Sequence, residues 1–139
     1  MAKDMSKSRR ILFVDDDELI LSCFERLLGR RFDLDVAESP EQALEAVSTR
    51  GPYAVVVSDM GMPGMNGIEL LSKVKQACPD TVGMLLSGNA EFDEADEAAR
   101  QGIVFRLIQK PCPTEELIQI LEEALARYES ATSLPAKIS

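Results

Sequence analysis

Three carboxylates stand in a row where an apolar run ends, in Ile11-Leu12-Phe13-Val14-Asp15-Asp16-Asp17. Acids packed this tightly repel one another, so a fold that holds them at the mouth of a buried strand needs a compensating cation. Oxygen-only ligation by carboxylates and carbonyls suits Mg²⁺ or Mn²⁺, and a chain without histidine gives no reason to expect zinc. A helix cap is the competing structural reading, because Asp is a favoured N-cap residue and a first turn welcomes anions. One Asp would satisfy a cap; three exceed it.

Asp59, Ser87 and Lys110 also follow apolar runs. Singly, each has a plain structural reading: a loop acid, a turn former before Gly88-Asn89, and a solvated charge before Pro111. Together with Asp15 and Asp16 they fit phosphoryl chemistry. A metal held by Asp16 and Asp59 would lower the local negative charge enough for an anionic phosphoryl donor to approach. Asp59 is then the nucleophile toward phosphorus, Lys110 a point charge for one phosphoryl oxygen, and the Ser87 hydroxyl a hydrogen bond to another. The resulting acyl phosphate is reactive enough for water to reverse it, which makes the site a timed switch.

Positioning such residues requires a core, and 139 residues allow one domain with a proper one but not two of ordinary size. A hydrophobic content of 45% with only 5% aromatics makes that core aliphatic. The net charge of -9 argues against direct binding to nucleic acid or an anionic membrane, since both need clustered Lys and Arg. Cys23, Cys78 and Cys112 are odd in number and lack the spacing of zinc or redox sites, so they read as reduced. The first ten residues are polar, and the four apolar residues after them are too few for a leader or a membrane span; a cytoplasmic location is expected.

Five short apolar runs alternate with five helical patterns, the signature of an open parallel sheet covered on both faces. Ile11 to Val14, Ala54 to Val57 and Val82 to Leu86 are nearly pure aliphatic and read as central strands. Phe32 to Val36 alternates and Val104 to Ile108 carries Arg106, so both belong at edges, which allows the strand order 2-1-3-4-5. In that order the ligand crevice lies beyond the strand C-termini, beside the first and third strands. The first helix shows Leu19, Ile20, Phe24, Leu27 and Leu28 as its core stripe. Later helices start at Ser39-Pro40, after Asn66-Gly67, near Ala90 and near Pro113, the fourth being acidic and weakly anchored. The expected domain covers residues 9–130, with 131–139 a tail or linker.

Four motifs in this order resemble the receiver domain of bacterial two-component response regulators, of the chemotaxis-regulator-like kind. They are Val14-Asp15-Asp16-Asp17, Ser58-Asp59-Met60-Gly61-Met62-Pro63-Gly64-Met65-Asn66-Gly67, Leu86-Ser87-Gly88 and Lys110-Pro111. The resemblance implies a flavodoxin-like α/β fold: five parallel strands, doubly wound with five helices. It implies that Asp59 accepts a phosphoryl group from a sensor histidine kinase or phosphotransfer protein. It implies Mg²⁺ (or Mn²⁺) ligated by Asp16, Asp59 and the Gly61 carbonyl, with Asp15 assisting through water, and a cis Lys110–Pro111 peptide. A downstream output domain or protein, or a homodimer partner, would meet the face made by the fourth helix, fifth strand and fifth helix. Such a chain is a regulatory domain, not an enzyme, with at most self-phosphorylation and self-dephosphorylation.

Two positions depart from the family pattern. Leu107 stands three residues before the lysine, where the family commonly has an aromatic ring, and Phe105 is expected on the same strand face one pair earlier. Gly61 leaves open the approach of hydrolytic water. The rival reading is a phosphatase of the haloacid-dehalogenase type, which needs further acidic ligands at a strand end after the lysine. Beyond Lys110 the only acids are Glu115, Glu116, Glu122, Glu123 and Glu129, all in an expected helix. A third reading is a receiver-like interaction module with weak switching.

Overall fold

A computed structural model of the protein describes residues 9–88 and 97–133. The elements run β1 (Arg10–Val14), α1 (Glu18–Leu28), β2 (Asp33–Ala37), α2 (Pro40–Arg50), β3 (Val55–Asp59), α3 (Gly67–Ala77) and β4 (Val82–Ser87). They continue with α4, whose described helical residues are 97–100, then β5 (Arg106–Gln109) and α5 (Thr114–Ser133). All pairings are parallel and the order is β2-β1-β3-β4-β5.

Alternation along the strands builds two cores, one on each face of the sheet. Ile11, Phe13, Val57 and Leu86 pack with Leu21 and Leu28 of α1 and Leu117, Leu121 and Leu125 of α5. Leu12, Val14, Val56 and Leu85 pack with Ala43 and Val47 of α2, Leu70 and Val74 of α3, and Ala98 of α4. Burial on both faces is why β1, β3 and β4 lack polar alternation. The two edge strands are the ones left partly exposed.

Helix starts follow their capping chemistry. Asp17 caps α1 by accepting from Leu19 N at 2.9 Å, and Ser39 caps α2 by accepting from Gln42 N at 3.1 Å. Asn66 and Glu69 form a reciprocal capping box at the start of α3.

The α1 stripe differs from its expected composition. Leu19 is 76% exposed and Leu27 56%, while Leu21 and Leu28 are buried and Phe24 packs beside them. The inward row is therefore Leu21, Phe24 and Leu28, and Leu19, Cys23 and Leu27 form a second row on the solvent side. Both rows satisfy a helical period, so periodicity could not choose between them.

β5 starts at Arg106, two residues later than the apolar run suggests. The backbone at 103–104 is tied to α4 instead, with Ile103 N and Val104 N both donating to the Ala98 carbonyl at 2.9 and 3.3 Å. This irregular start interrupts the alternation. Phe105 joins the α1/α5 core and Leu107 the α2/α3 core, so they occupy opposite faces, contrary to the expectation that they share one. Of the expected fourth helix, Ala90 to Gln101, the segment 89–96 lies outside the described residues.

Candidate functional site

Four of the five strand ends, those of β1, β3, β4 and β5, deliver the candidate side chains. β1 ends at Val14, and Asp15 N donates to the Ala37 carbonyl at 3.1 Å, which holds Asp15 just past the strand with only 3% exposure. The chain then turns into α1, and Asp17 N donates to Asp15 Oδ1 at 2.9 Å. Asp17 is thus both cap and scaffold, which leaves Asp15 and Asp16 for the mouth.

Asp59 ends β3. Its backbone is fixed from below: Ser58 Oγ donates to the Asp59 carbonyl at 2.9 Å, and Met60 N donates to the Leu86 carbonyl at 2.9 Å. Gly67, the first residue of α3, presses against the same place. A Cβ there would stand 2.5 Å from the Asp59 carbonyl oxygen and 2.6 Å from Leu85 Cδ2. Only glycine lets α3 begin this close beneath the acid. Lys110 follows β5, with its N donating to the Ser87 carbonyl at 2.8 Å and a cis peptide to Pro111.

These supports bring Asp15, Asp16, Asp59 and Lys110 together. One carboxylate oxygen from each acid lies within 4.8 Å of the others. Lys110 Nζ donates to Asp59 Oδ1 at 2.7 Å and stands 3.6 Å from Asp15 Oδ2. That Asp15 oxygen is buried and accepts no hydrogen bond. Ser87 is 4% exposed and closes β4 at the same rim. A Cβ on Gly61 would meet nothing within 4 Å, so this side of the mouth is open.

Burial pushes the Asp15 carboxyl above its ordinary range, and the charges of Asp59 and Asp16 add to the rise. The Asp17 N–H and Lys110 oppose it without cancelling it. Burial by itself would lower the Lys110 ammonium, but the hydrogen bond and charge of Asp59, with Asp15 behind it, carry it above the usual lysine value. One ammonium therefore faces three acids. A buried carboxylate oxygen that accepts no hydrogen bond, beside two further acids, could hold a hard divalent cation, and the donor set is all oxygen.

Sequence reasoning missed Ser58 and Gly67 as supports of Asp59. The signal lay in Asn66-Gly67, a cap followed by a glycine at a helix start where no turn conformation demands one.

A family model for the response regulator receiver domain matches residues 11–122, most of the chain and all of the cluster. The chain belongs to that family. Among its relatives, the uncharacterized transcriptional regulatory protein YesN of Bacillus subtilis is 34% identical over 84% of this chain and 32% of its own length. The DNA-binding transcriptional regulator NtrC of Klebsiella pneumoniae is 33% identical over 84% of this chain and 24% of its own. This receiver chain thus spans about a quarter to a third of the length of the curated relatives it matches. The crystal structure of adenylate cyclase from Rhodopirellula baltica superposes with a TM-score of 0.88 at 35% identity, covering 91% of this chain and 93% of that one. The phosphatase reading finds no support. Glu115, Glu116, Glu122, Glu123 and Glu129 all lie in α5, and among the described residues no strand follows β5 to carry another ligand.

Proposed function

We propose that this receiver works through Asp59 as the phosphoryl acceptor, with Asp15, Asp16, Asp59 and the Gly61 carbonyl as the holders of Mg²⁺ or Mn²⁺. Asp59 is the one cluster acid with both a cation donating to it and a backbone pinned from two sides, so its free carboxylate oxygen is presented to the opening in a fixed place. Bound metal would supply charge neutralisation for an incoming anionic phosphoryl group. Lys110 receives one oxygen of that group, exchanging its contact with Asp59 for one with phosphate, and the Ser87 hydroxyl donates to another. The buried Asp15 oxygen that accepts no hydrogen bond, set beside two further acids and a single ammonium, is the observation that carries this reading. Any catalysis by the chain is confined to its own phosphorylation and dephosphorylation, which the open side at Gly61 favours by admitting water.

The partners follow from the same geometry. A phosphohistidine donor, a sensor kinase or phosphotransfer protein, must cover the mouth, and the exposed Leu19 and Leu27 row of α1 begins one turn from Asp16. That row gives the donor an apolar foothold. An output domain, output protein or second copy would meet the face of α4, β5 and α5, where Arg106 pairs with Glu123 at 2.6 Å. Leu107, half-buried in the α2/α3 core, takes the place of the ring that commonly reads out the phosphoryl group, so the readout relies on β5 and α5 without a rotating aromatic. The domain expected over 9–130 extends to Ser133, where α5 ends, and the remainder is a tail or linker. No described helix is long and apolar enough to cross a membrane, and we place the chain in the cytoplasm.

Intact mass after incubation with acetyl phosphate and Mg²⁺ tests this directly. One added phosphoryl group is expected on the wild type and none on Asp59→Asn or in the presence of chelator. An unmodified wild-type chain, or equal modification of Asp59→Asn, overturns the assignment.

A further inference from the structure

The mouth is ringed by acids beyond those of the cluster. Asp16, Asp17 and Glu18 follow β1 in succession, and all three are exposed. Val14 pairs in register with Ala37, whose carbonyl accepts from Asp15 N, so Glu38 stands beside Asp15 at the next step along the rim. Glu41 follows in the first turn of α2, and both of these glutamates are exposed as well. Exposed charges act on one another over about 8–10 Å at ordinary salt, the reach of two or three residues of chain, so ring and opening share one field.

Many acids elsewhere are neutralised: Asp35, Glu97, Glu122, Glu123 and Glu129 each pair with an arginine. Glu18, Glu38 and Glu41 make no ion pair among the described residues. The bases of the same helices sit in their last turns, Arg26 of α1 and Arg50 of α2, at the far end of the sheet. Attraction to the helix dipole accounts for Glu18 and Glu41 in first turns. It does not account for Glu38, which precedes the Ser39 cap, and it leaves the charges exposed to any incoming ligand. Inside the ring Asp15, only 3% exposed, holds an oxygen that accepts no hydrogen bond 3.6 Å from Lys110. A divalent cation and Lys110 would together balance the three cluster acids, which leaves the outer ring as surplus negative charge.

We propose that this ring selects the phosphodonor by charge: it favours a protein segment whose phosphohistidine is flanked by Lys or Arg, and it holds back free anionic donors. The proposal rests on Asp59 as the acceptor. A cationic flank is drawn to Glu18, Glu38 and Glu41 and carries its phosphoryl group past them, whereas a small dianion meets the same carboxylates unshielded. In the transfer an Asp59 oxygen supplies the electron pair of the new O–P bond. The P–N pair stays with the imidazole nitrogen, which takes a proton from the medium.

Two phosphohistidine peptides, one flanked by lysines and the other by glutamates, are offered to the full chain with Mg²⁺, and transfer is followed by intact mass. At low salt the basic peptide should react at least about tenfold faster, the low end of electrostatic steering. The two rates should converge at about 1 M KCl, where the screening length is roughly 3 Å. In the combined variant Glu18→Gln, Glu38→Gln, Glu41→Gln the basic peptide should slow severalfold while acetyl phosphate speeds up, opposite signs that a damaged site would not give. Binding of the unphosphorylated basic peptide needs no chemistry at Asp59, and its backbone amide shifts should fall on 16–18 and 38–41. Those shifts without phosphorylation by any donor would overturn the acceptor assignment alone and still support the charge preference of the ring. Equal transfer from both peptides at low salt, a preference that survives high salt or the combined variant, or amide shifts centred on α5 instead overturns the proposal.

Discussion

At the C-terminal mouth Asp15 is buried with one oxygen that accepts no hydrogen bond, whereas near the strand N-termini Asp35 is surrounded by donors. Tyr53, fully buried, donates its hydroxyl to Asp35 Oδ2 at 2.5 Å, and Arg10 Nη2 reaches the same oxygen at 3.0 Å. Arg10 also lies over the Tyr53 ring at 4.9 Å, its Nη1 donates to the Arg50 carbonyl, and Arg50 stands 3.8 Å from Asp35. The electrostatic outcomes are opposite. Although burial pushes the Asp35 carboxyl up, the Tyr53 and Arg10 hydrogen bonds hold it below its ordinary value. Asp15, with weaker opposition to burial, is raised. Burial and the Asp35 bond push Tyr53 up to about 12. One end of the fold uses a half-buried acid to fix structure, and the other leaves the buried Asp15 under-compensated beside two further acids, an arrangement that a cation would relieve.

The contrast can be broken by substitution. Tyr53→Ala removes a filled core position as well as the Asp35 bond and should cost about 3–5 kcal/mol in urea unfolding, the range for aromatic truncation. A cost under about 1 kcal/mol would mean that this end is not a structural anchor. Asp35→Asn keeps the volume but weakens the charged bonds, so a loss of about 1–3 kcal/mol is expected. The pH dependence has a definite sign. With its folded pKa depressed, Asp35 contributes stability that is fully present above its unfolded value of 3.8 and is lost as pH falls through the folded value. The stability gap between wild type and Asp35→Asn should therefore shrink in urea titrations carried below pH 4, roughly its unfolded pKa. A gap that widens there would contradict the pairing. At the mouth the sign reverses. Asp15→Asn relieves repulsion and should raise the unfolding free energy of the metal-free protein by about 1 kcal/mol, a melting shift of roughly 3–5 °C.

Much of this was legible in the residues because the three central strands are buried on both faces, and such strands declare themselves as unbroken aliphatic runs. The mouth was legible for a related reason: three adjacent acids, an acid, a hydroxyl and a lysine at strand ends have few structural uses together. What escaped depended on choices between equivalent patterns. α1 offers two apolar rows with the same period, and only packing against the sheet decides that Leu21 and Leu28 go inward while Leu19 and Leu27 stay out. The Ala98 carbonyl, through its bonds to residues 103 and 104, delays β5 and separates Phe105 from Leu107. Asp35 looked like the wet side of an edge strand, since its partners Tyr53 and Arg10 come from other elements. Long-range hydrogen bonds of this kind leave no local trace in a sequence.

Melting curves for wild type and Asp15→Asn, recorded with chelator and again with excess Mg²⁺, test the central claim that the mouth holds acids awaiting a cation. The order should invert: the variant melts higher in chelator, and the wild type melts higher in Mg²⁺ because the ion stabilises the folded state that binds it. If the two proteins keep the same order in both conditions, the acids at Asp15, Asp16 and Asp59 do not form the metal site described.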